Sequence, residues 1–324
     1  MASYKIVAGV DGGNSKTDVA IADTSGRVLG RSRGTGTKSP LDGAAALAGR
    51  LASLIDGAKL ATGNDQPLAA AVFYQANVDL PDEEDALKCA LEPLGIATQV
   101  AVGNDTMAVL RAGTDDGWGV AVVLGTGINA IGIGPDGQVE RFLGIGAESG
   151  DWGGGHGIAV AGVGAGVRAE DGRGPATILS QTLPASFGMS SAHELAVAIS
   201  RDIITTPQVL GLTPLVFAAV EAGDAVAGRL IERQCDEVAV MIKALLRRLG
   251  RLKEFTPVIL GGGVARGAGP LLVDAVTQRL VGVAPLAHIQ VLDLPPVVGA
   301  VAAALDMAGA DRSAIHAVRT HHWD

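Results

Sequence analysis

The chain has 324 residues, of which 48% are hydrophobic and 18% charged, so there is ample material for packed cores and no composition of a disordered chain. A formal charge of −9, with no basic cluster interleaved with aromatics, argues against a nucleic-acid partner, and no apolar stretch reaches the ~18 residues of a membrane span. Cys89 and Cys235 have neither metal-ligand nor disulfide spacing, and the start MASYKIVAGV lacks a signal-peptide pattern, so a cytoplasmic protein is expected.

A single core rarely exceeds about 250–300 residues, which favours two lobes. Aromatics are only 3% of the chain and glycines number 46, so the cores rest on Ala, Val, Leu and Ile, and glycine marks the bends. In chain order, residues 6–10 read as a strand, followed by the turn DGGNSKT, a strand at 18–22, the turn Asp23-Thr24-Ser25-Gly26 and a strand at 27–31. Residues 41–55 carry Leu47, Leu51, Leu54 and Ile55 on one helical stripe, and 69–73 is a short apolar strand. Val100-Ala101-Val102 is a further buried strand, and Asn104-Asp105 stand where it hands over to a helix containing Met107, Leu110 and Arg111.

A second meander begins at Gly119: GVAVVLGTG, NAIGIG, the turn Pro135-Asp136-Gly137, then QVERFLG. Residues 144–157, GIGAESGDWGGGHG, are too glycine-rich for a regular helix and read as an active-site loop. The rest is mainly helical, with an amphipathic run over 222–249, the strand Val258-Ile259-Leu260, the turn Gly261-Gly262-Gly263 and a helix beyond Pro270. Residues 297–305 form an apolar helix, and the polar tail after Ala310 is expected to fray.

Both meanders place a small-residue turn between their first two strands, which suggests an internal duplication of a phosphate-cradling hairpin. Turns without Cβ atoms let backbone N–H groups reach phosphate oxygens, and Gly12, Gly13, Ser15 and Thr17 fit that role. Taken alone, DGGNSKT is equally an ordinary hairpin turn. Asp11 ends a strand beside this turn, where a carboxylate could hold Mg²⁺ through water. Asp105 could accept a hydroxyl proton during phosphoryl transfer or cap its helix; its position between two phosphate-type turns favours the base. Asp151 and Trp152 could contact a sugar, and none of the 6 histidines has companions at metal spacing.

The segments VDGGNSKTDVAIAD, VGNDTMAVLRAG, GVAVVLGTGINAIGI, VILGGGVARG and VVGAVAAAL resemble the five elements of the actin-like ATPase superfold, in order. The combination of VDGGNSKT, NDTMA, GTG with Asn129 before PDG, and SGDWGGG is similar to the BadF/BadG/BcrA/BcrD ATPase family, which includes eukaryotic-type N-acetylglucosamine kinase. The resemblance implies an α/β protein of two ribonuclease-H-like lobes, 1–115 and 116–296, around a central nucleotide and substrate cleft. It further implies a helix at 297–310 returning to the first lobe, before the tail 311–324.

The resemblance also implies ATP and Mg²⁺, with Asp11 near the metal and Asp105 as base. Phosphates would meet Gly12, Gly13, Asn14, Ser15, Lys16 and Thr17, together with Gly125, Thr126 and Gly127, and the adenosine element would contribute Gly261, Gly262 and Gly263. Asn129, Gly146 and Asp151 fall near the sugar. Lys38 in GTGTKSP, and Asn77 and Asp79 in YQANVDLP, depart from the family's usual residues at the sugar edge and are expected to set the acceptor. The implied activity is phosphorylation of an amino sugar, N-acetylglucosamine to its 6-phosphate or glucosamine, with a homodimer left open. The alternatives are an ATPase subunit serving a radical CoA-ester dehydratase or reductase, which would need cluster-binding cysteines, and a non-catalytic sugar sensor, against which Asp11 and Asp105 argue.

Overall fold

The computed structural model describes residues 4–36 and 43–323. Strands β1 (Ile6–Gly12), β2 (Lys16–Asp23) and β3 (Val28–Thr35) form an antiparallel meander, and β4 (Leu68–Gln75) and β5 (Ala97–Asn104) add parallel to β1, in the order β3-β2-β1-β4-β5. The second sheet repeats this order and sense. Strands β6 (Gly119–Leu124), β7 (Ile128–Ile133) and β8 (Val139–Arg141) form the meander, and β9 (Thr256–Gly261) and β10 (Ala287–Val291) run parallel to β6. The duplication suggested by two similar turns therefore extends to all five strands of each sheet.

Period-two alternation divides the first sheet between two cores. Ile6, Ala8 and Val10 of β1 pack with Leu47, Leu51 and Ile55 of α1 (Ala44–Thr62) and Leu87 and Leu91 of α2 (Pro81–Leu91). Val7, on the opposite face, shares a core with α3 (Asp105–Gly113) and with Ala121 and Ile259 of the second sheet. A third core lies beneath α4 (Gly154–Glu170), α5 (Leu179–Ala185), α6 (Ala192–Ser200), α7 (Thr206–Leu210), α8 (Thr213–Glu221), α9 (Ala225–Arg248) and α10 (Gly263–Leu280).

After β10 the chain returns to the first lobe as α11 (Val297–Met307), which packs on β1, β4 and α3. Its Gly299 lies against the backbone of Ala108 so closely that a Cβ would overlap the Ala108 carbonyl. The two helices that link the lobes thus meet backbone to backbone between the sheets.

Three expectations differ from what is observed. The segment after Ala310 does not fray: Asp311 accepts from the Ser313 and Ala314 amides, and α12 (Arg312–Thr320) buries Ala314, Ile315 and Val318 at helical spacing. The glycine-rich stretch 144–157 is a loop only as far as Gly153, because α4 begins at Gly154 despite its glycines. Helix α10 starts at Gly263, ahead of Pro270, and is kinked at Gly269, which takes φ 49°. Among the described residues no single helix is long and apolar enough to cross a membrane.

Candidate active site

The carboxyl ends of β1 and β4, the start of α3 and the turns of the second lobe surround a cleft of about 760 Å³ between the lobes. Three backbone turns enter it. The β1–β2 turn is closed by the Gly13 amide donating to the Lys16 carbonyl at 2.8 Å, and it presents Asn14 and Ser15. The β6–β7 turn is closed by the Gly125 amide donating to Gly127 at 3.0 Å, and it presents Thr126. Gly262 and Gly263 follow β9, with Arg266 one helical turn further on.

Asn104, the last residue of β5, is the N-cap of α3: its Oδ1 accepts from the Thr106 amide at 3.0 Å and from the Thr106 hydroxyl at 2.6 Å. The capping role that competed for Asp105 thus belongs to its neighbour, and Asp105 turns into the cleft. Loss of hydration pushes its carboxyl up to about 6, against the pull of the Thr106 and Asp105 amides. Asp11 is pushed up to about 8 by burial and by the charges of Asp105 and Asp18, against the pull of Lys16 and Arg266.

At the other end of the cleft, Asp79 Oδ1 accepts from Asn104 Nδ2 at 2.7 Å and from Asn129 Nδ2 at 3.0 Å, so one carboxylate oxygen joins the two lobes. Burial, Asp105 and Glu83 push Asp79 up to about 7, opposed by the bond from Asn104 and by Arg141. Glu83 Oε2 accepts the Asp79 and Leu80 amides, and Asn77 Nδ2 donates to Asn14 Oδ1 at 2.7 Å. Gly146 lines the same end.

Four of the expected residues that are described do not line the cleft. Gly12 is pressed against the Gln75 side chain, Gly261 packs against Val109, and the buried Thr17 hydroxyl donates to the Thr35 carbonyl at 3.1 Å. These three shape the turns from behind rather than lining the cleft. Asp151 is turned inward on its own loop, where its Oδ2 accepts from the Gly146 amide at 3.1 Å and the Ser149 hydroxyl at 2.5 Å. Lys38 lies outside the described residues. Trp152 does not line the cleft either; it carries the Arg233 guanidinium 4.0 Å from its ring centroid. Conversely, Glu83, Arg266 and the Asp293–Pro296 floor line the cleft without a clear sequence signal, except that Arg266 stands four residues after Gly262 in GGGVARG.

A second hollow of about 510 Å³ adjoins the first through Ser15, Thr126, Gly263 and Arg266 and continues as an apolar slot between Leu210, Pro214 and Phe217 on one side and Val264 on the other. Among the described residues no three metal-ligating side chains converge, so a cation here would rely on one or two carboxylates, phosphate oxygens and water, as Mg²⁺ commonly does.

Two topologically equivalent α/β lobes with glycine turns facing a shared cleft and an adjoining apolar slot define a nucleotide-handling protein of the actin-like fold. The chain belongs to the BadF/BadG/BcrA/BcrD ATPase family, whose sequence model matches residues 8–305. It is 27% identical over 80% of its length to an N-acetylmuramic acid/N-acetylglucosamine kinase of Clostridium acetobutylicum, covering 85% of that protein. It is 26% identical over 94% of its length to an N-acetyl-D-glucosamine kinase of Dictyostelium discoideum, covering 99% of it. In fold it matches a Chromobacterium violaceum protein provisionally described as an N-acetylglucosamine kinase, with TM-score 0.70, 22% identity and coverage of 94% and 99% of the two chains. A ROK-family glucokinase from Streptomyces griseus matches with TM-score 0.55, 19% identity and coverage of 92% and 98%.

Proposed function

We propose that the chain is an ATP-dependent kinase that phosphorylates a hydroxyl of an amino sugar, with N-acetylglucosamine, giving its 6-phosphate, or glucosamine as acceptor. The observation that carries this reading is Asp105: relieved of helix capping by Asn104, it faces a cleft with glycine turns on one side and a polar pocket on the other. The names of the two relatives support the acceptor class.

In this reading the adenine occupies the apolar slot beside Phe217 and Val264, and the phosphates lie along the Asn14-Ser15, Thr126 and Gly262-Gly263 turns with Arg266 and Lys16 nearby. Asp11 suits a hard cation, since its charge is otherwise crowded by Asp105 and Asp18, and bound Mg²⁺ would neutralise phosphate charge there. Asp105 takes the acceptor's hydroxyl proton as the new O–P bond forms and the bond from the γ-phosphorus to the β,γ-bridging oxygen breaks, releasing ADP. Asp79, Asn129 and Gly146 orient the sugar.

Coupled ADP-release assays with N-acetylglucosamine, glucosamine, N-acetylmuramic acid and glucose test this reading. Asp105→Asn is expected to lower sugar-dependent release by roughly 10²–10⁴-fold, the usual contribution of a general base, while ATP binding persists. Unchanged turnover in that variant refutes the assignment. Neither Cys89, exposed on α2, nor Cys235, buried in α9, lines the cleft, so nothing favours the iron–sulfur alternative.

A further inference from the structure

Helix α4 has no cap of its own. Its N-cap position is Gly153, at φ 124°, and a Cβ there would overlap the Gln234 carboxamide. The amide of Gly154 donates instead to Gln234 Oε1 at 2.8 Å, from a side chain 80 residues away in the middle of α9 that is only 1% exposed. The next two amides of α4, Gly155 and His156, donate to the carbonyls of Gly125 and Thr126 at 2.8 and 2.9 Å. The end of this helix is therefore bonded to the β6–β7 turn on one side and to Gln234 on the other.

In a trans peptide the C=O of one residue and the N–H of the next point in opposite directions, and no cis peptide occurs among the described residues. With the Gly125 and Thr126 carbonyls turned toward α4, the Thr126 and Gly127 N–H groups must point away from it, toward the cleft that both residues line. Gln234 Nε2 is buried with no partner among the described residues, a cost that an apolar side chain at this position would not incur. Packing alone does not explain a glutamine there; capping Gly154 does.

We propose that Gln234 is a positioning residue for nucleotide phosphate: by capping α4 from α9, it fixes the helix end that aims the Thr126 and Gly127 amides into the cleft. This rests on the nucleotide-binding reading above. Neither Gln234 nor the other α9 residues line the cleft, so the effect is transmitted through α4.

The test uses the full chain and ADP with Mg²⁺ as the calorimetric probe. Gln234→Asn keeps the amide but falls one methylene short of Gly154, and Gln234→Leu removes it. Both are expected to weaken ADP binding about tenfold and to speed hydrogen exchange at the Gly154 amide. The KM for N-acetylglucosamine should stay within about twofold of wild type while the KM for ATP rises. Should Gln234→Leu fail to fold, Gln234→Asn still decides the matter. ADP affinity unchanged while Gly154 exchanges rapidly overturns the proposal, as does an equal loss of affinity for ADP and sugar. If wild type itself does not bind ADP, the nucleotide reading fails first and the proposal goes with it.

Discussion

Asparagine and aspartate are both good helix caps, and at the start of α3 they stand side by side. The Asn104 amide can accept at Oδ1 and donate at Nδ2, and it does both, capping Thr106 while holding Asp79. An aspartate at 104 could not donate to Asp79 while ionised. The order Asn-Asp therefore leaves Asp105 free for chemistry, a distinction invisible in a motif where either residue explains the helix start. Because a base must be ionised to work, kcat/KM for the sugar is expected to fall as pH drops through about 6, where Asp105 takes up its proton. A pH–rate profile flat from 5 to 8 would refute that role.

Asp79 makes the converse prediction for stability. Its folded pKa of about 7 lies above the ~3.9 of an unfolded aspartate, so the native state binds the extra proton. Its contribution is fully favourable below about pH 4 and is lost as pH rises through about 7. Asp79→Asn, which keeps an oxygen for the Asn104 and Asn129 donors, should therefore raise Tm by a few degrees at pH 8 and by nothing at pH 4, while raising the acceptor KM. Calorimetry at the two pH values checks the sign. Spacing along the chain is enough to expect the glycine turns and Asp105 to converge, and they line one cleft. Thr17, Gly12 and Asp151 do not line it, because the same residue types here serve a strand bond, a close contact and a loop tie that arise only on folding.

At the scale of elements, the strands were legible as short apolar runs bounded by glycine turns, buried on both faces in β1, β2 and β6, and α1 by Leu47, Leu51 and Ile55 at helical spacing. The start of α4 and the existence of α12 were not. The first depends on a cap supplied by a remote glutamine, and the second on three apolar residues within a polar tail. The α3–α11 contact makes a testable case of close backbone approach. Gly299→Val would drive side-chain atoms into the Ala108 carbonyl at the centre of the junction, and overpacking of this kind typically destabilises by roughly 1–3 kcal/mol or more. Urea unfolding should show a lower midpoint; an unchanged midpoint would mean that the two helices can slide apart without loss.

At the scale of the whole molecule, the chain crosses between lobes twice, from α3 into β6 and from β10 into α11, and both crossings flank the same helix pair. Such an arrangement permits rotation about the pair while the far edges of the cleft open and close. Polar ties between the lobes include Asn129 to Asp79 and the ion pair of Arg141 on β8 with Glu84 on α2. Arg141 and Glu84 are each 22% exposed, so their pair keeps part of its strength in salt, up to about 1 kcal/mol. If closure over the sugar excludes water, weakening this tie should shift ATP toward futile hydrolysis. Arg141→Ala is thus expected to raise the acceptor KM by about two- to fivefold and the ratio of hydrolysis to sugar phosphorylation by a similar factor, with ADP affinity little changed. Small-angle scattering supplies the structural half of the test: the radius of gyration of wild type should contract on adding ADP, Mg²⁺ and N-acetylglucosamine together, and that of Arg141→Ala should contract only at higher sugar. Identical profiles with and without ligands would remove closure from the mechanism and leave the Arg141–Glu84 pair a purely structural contact.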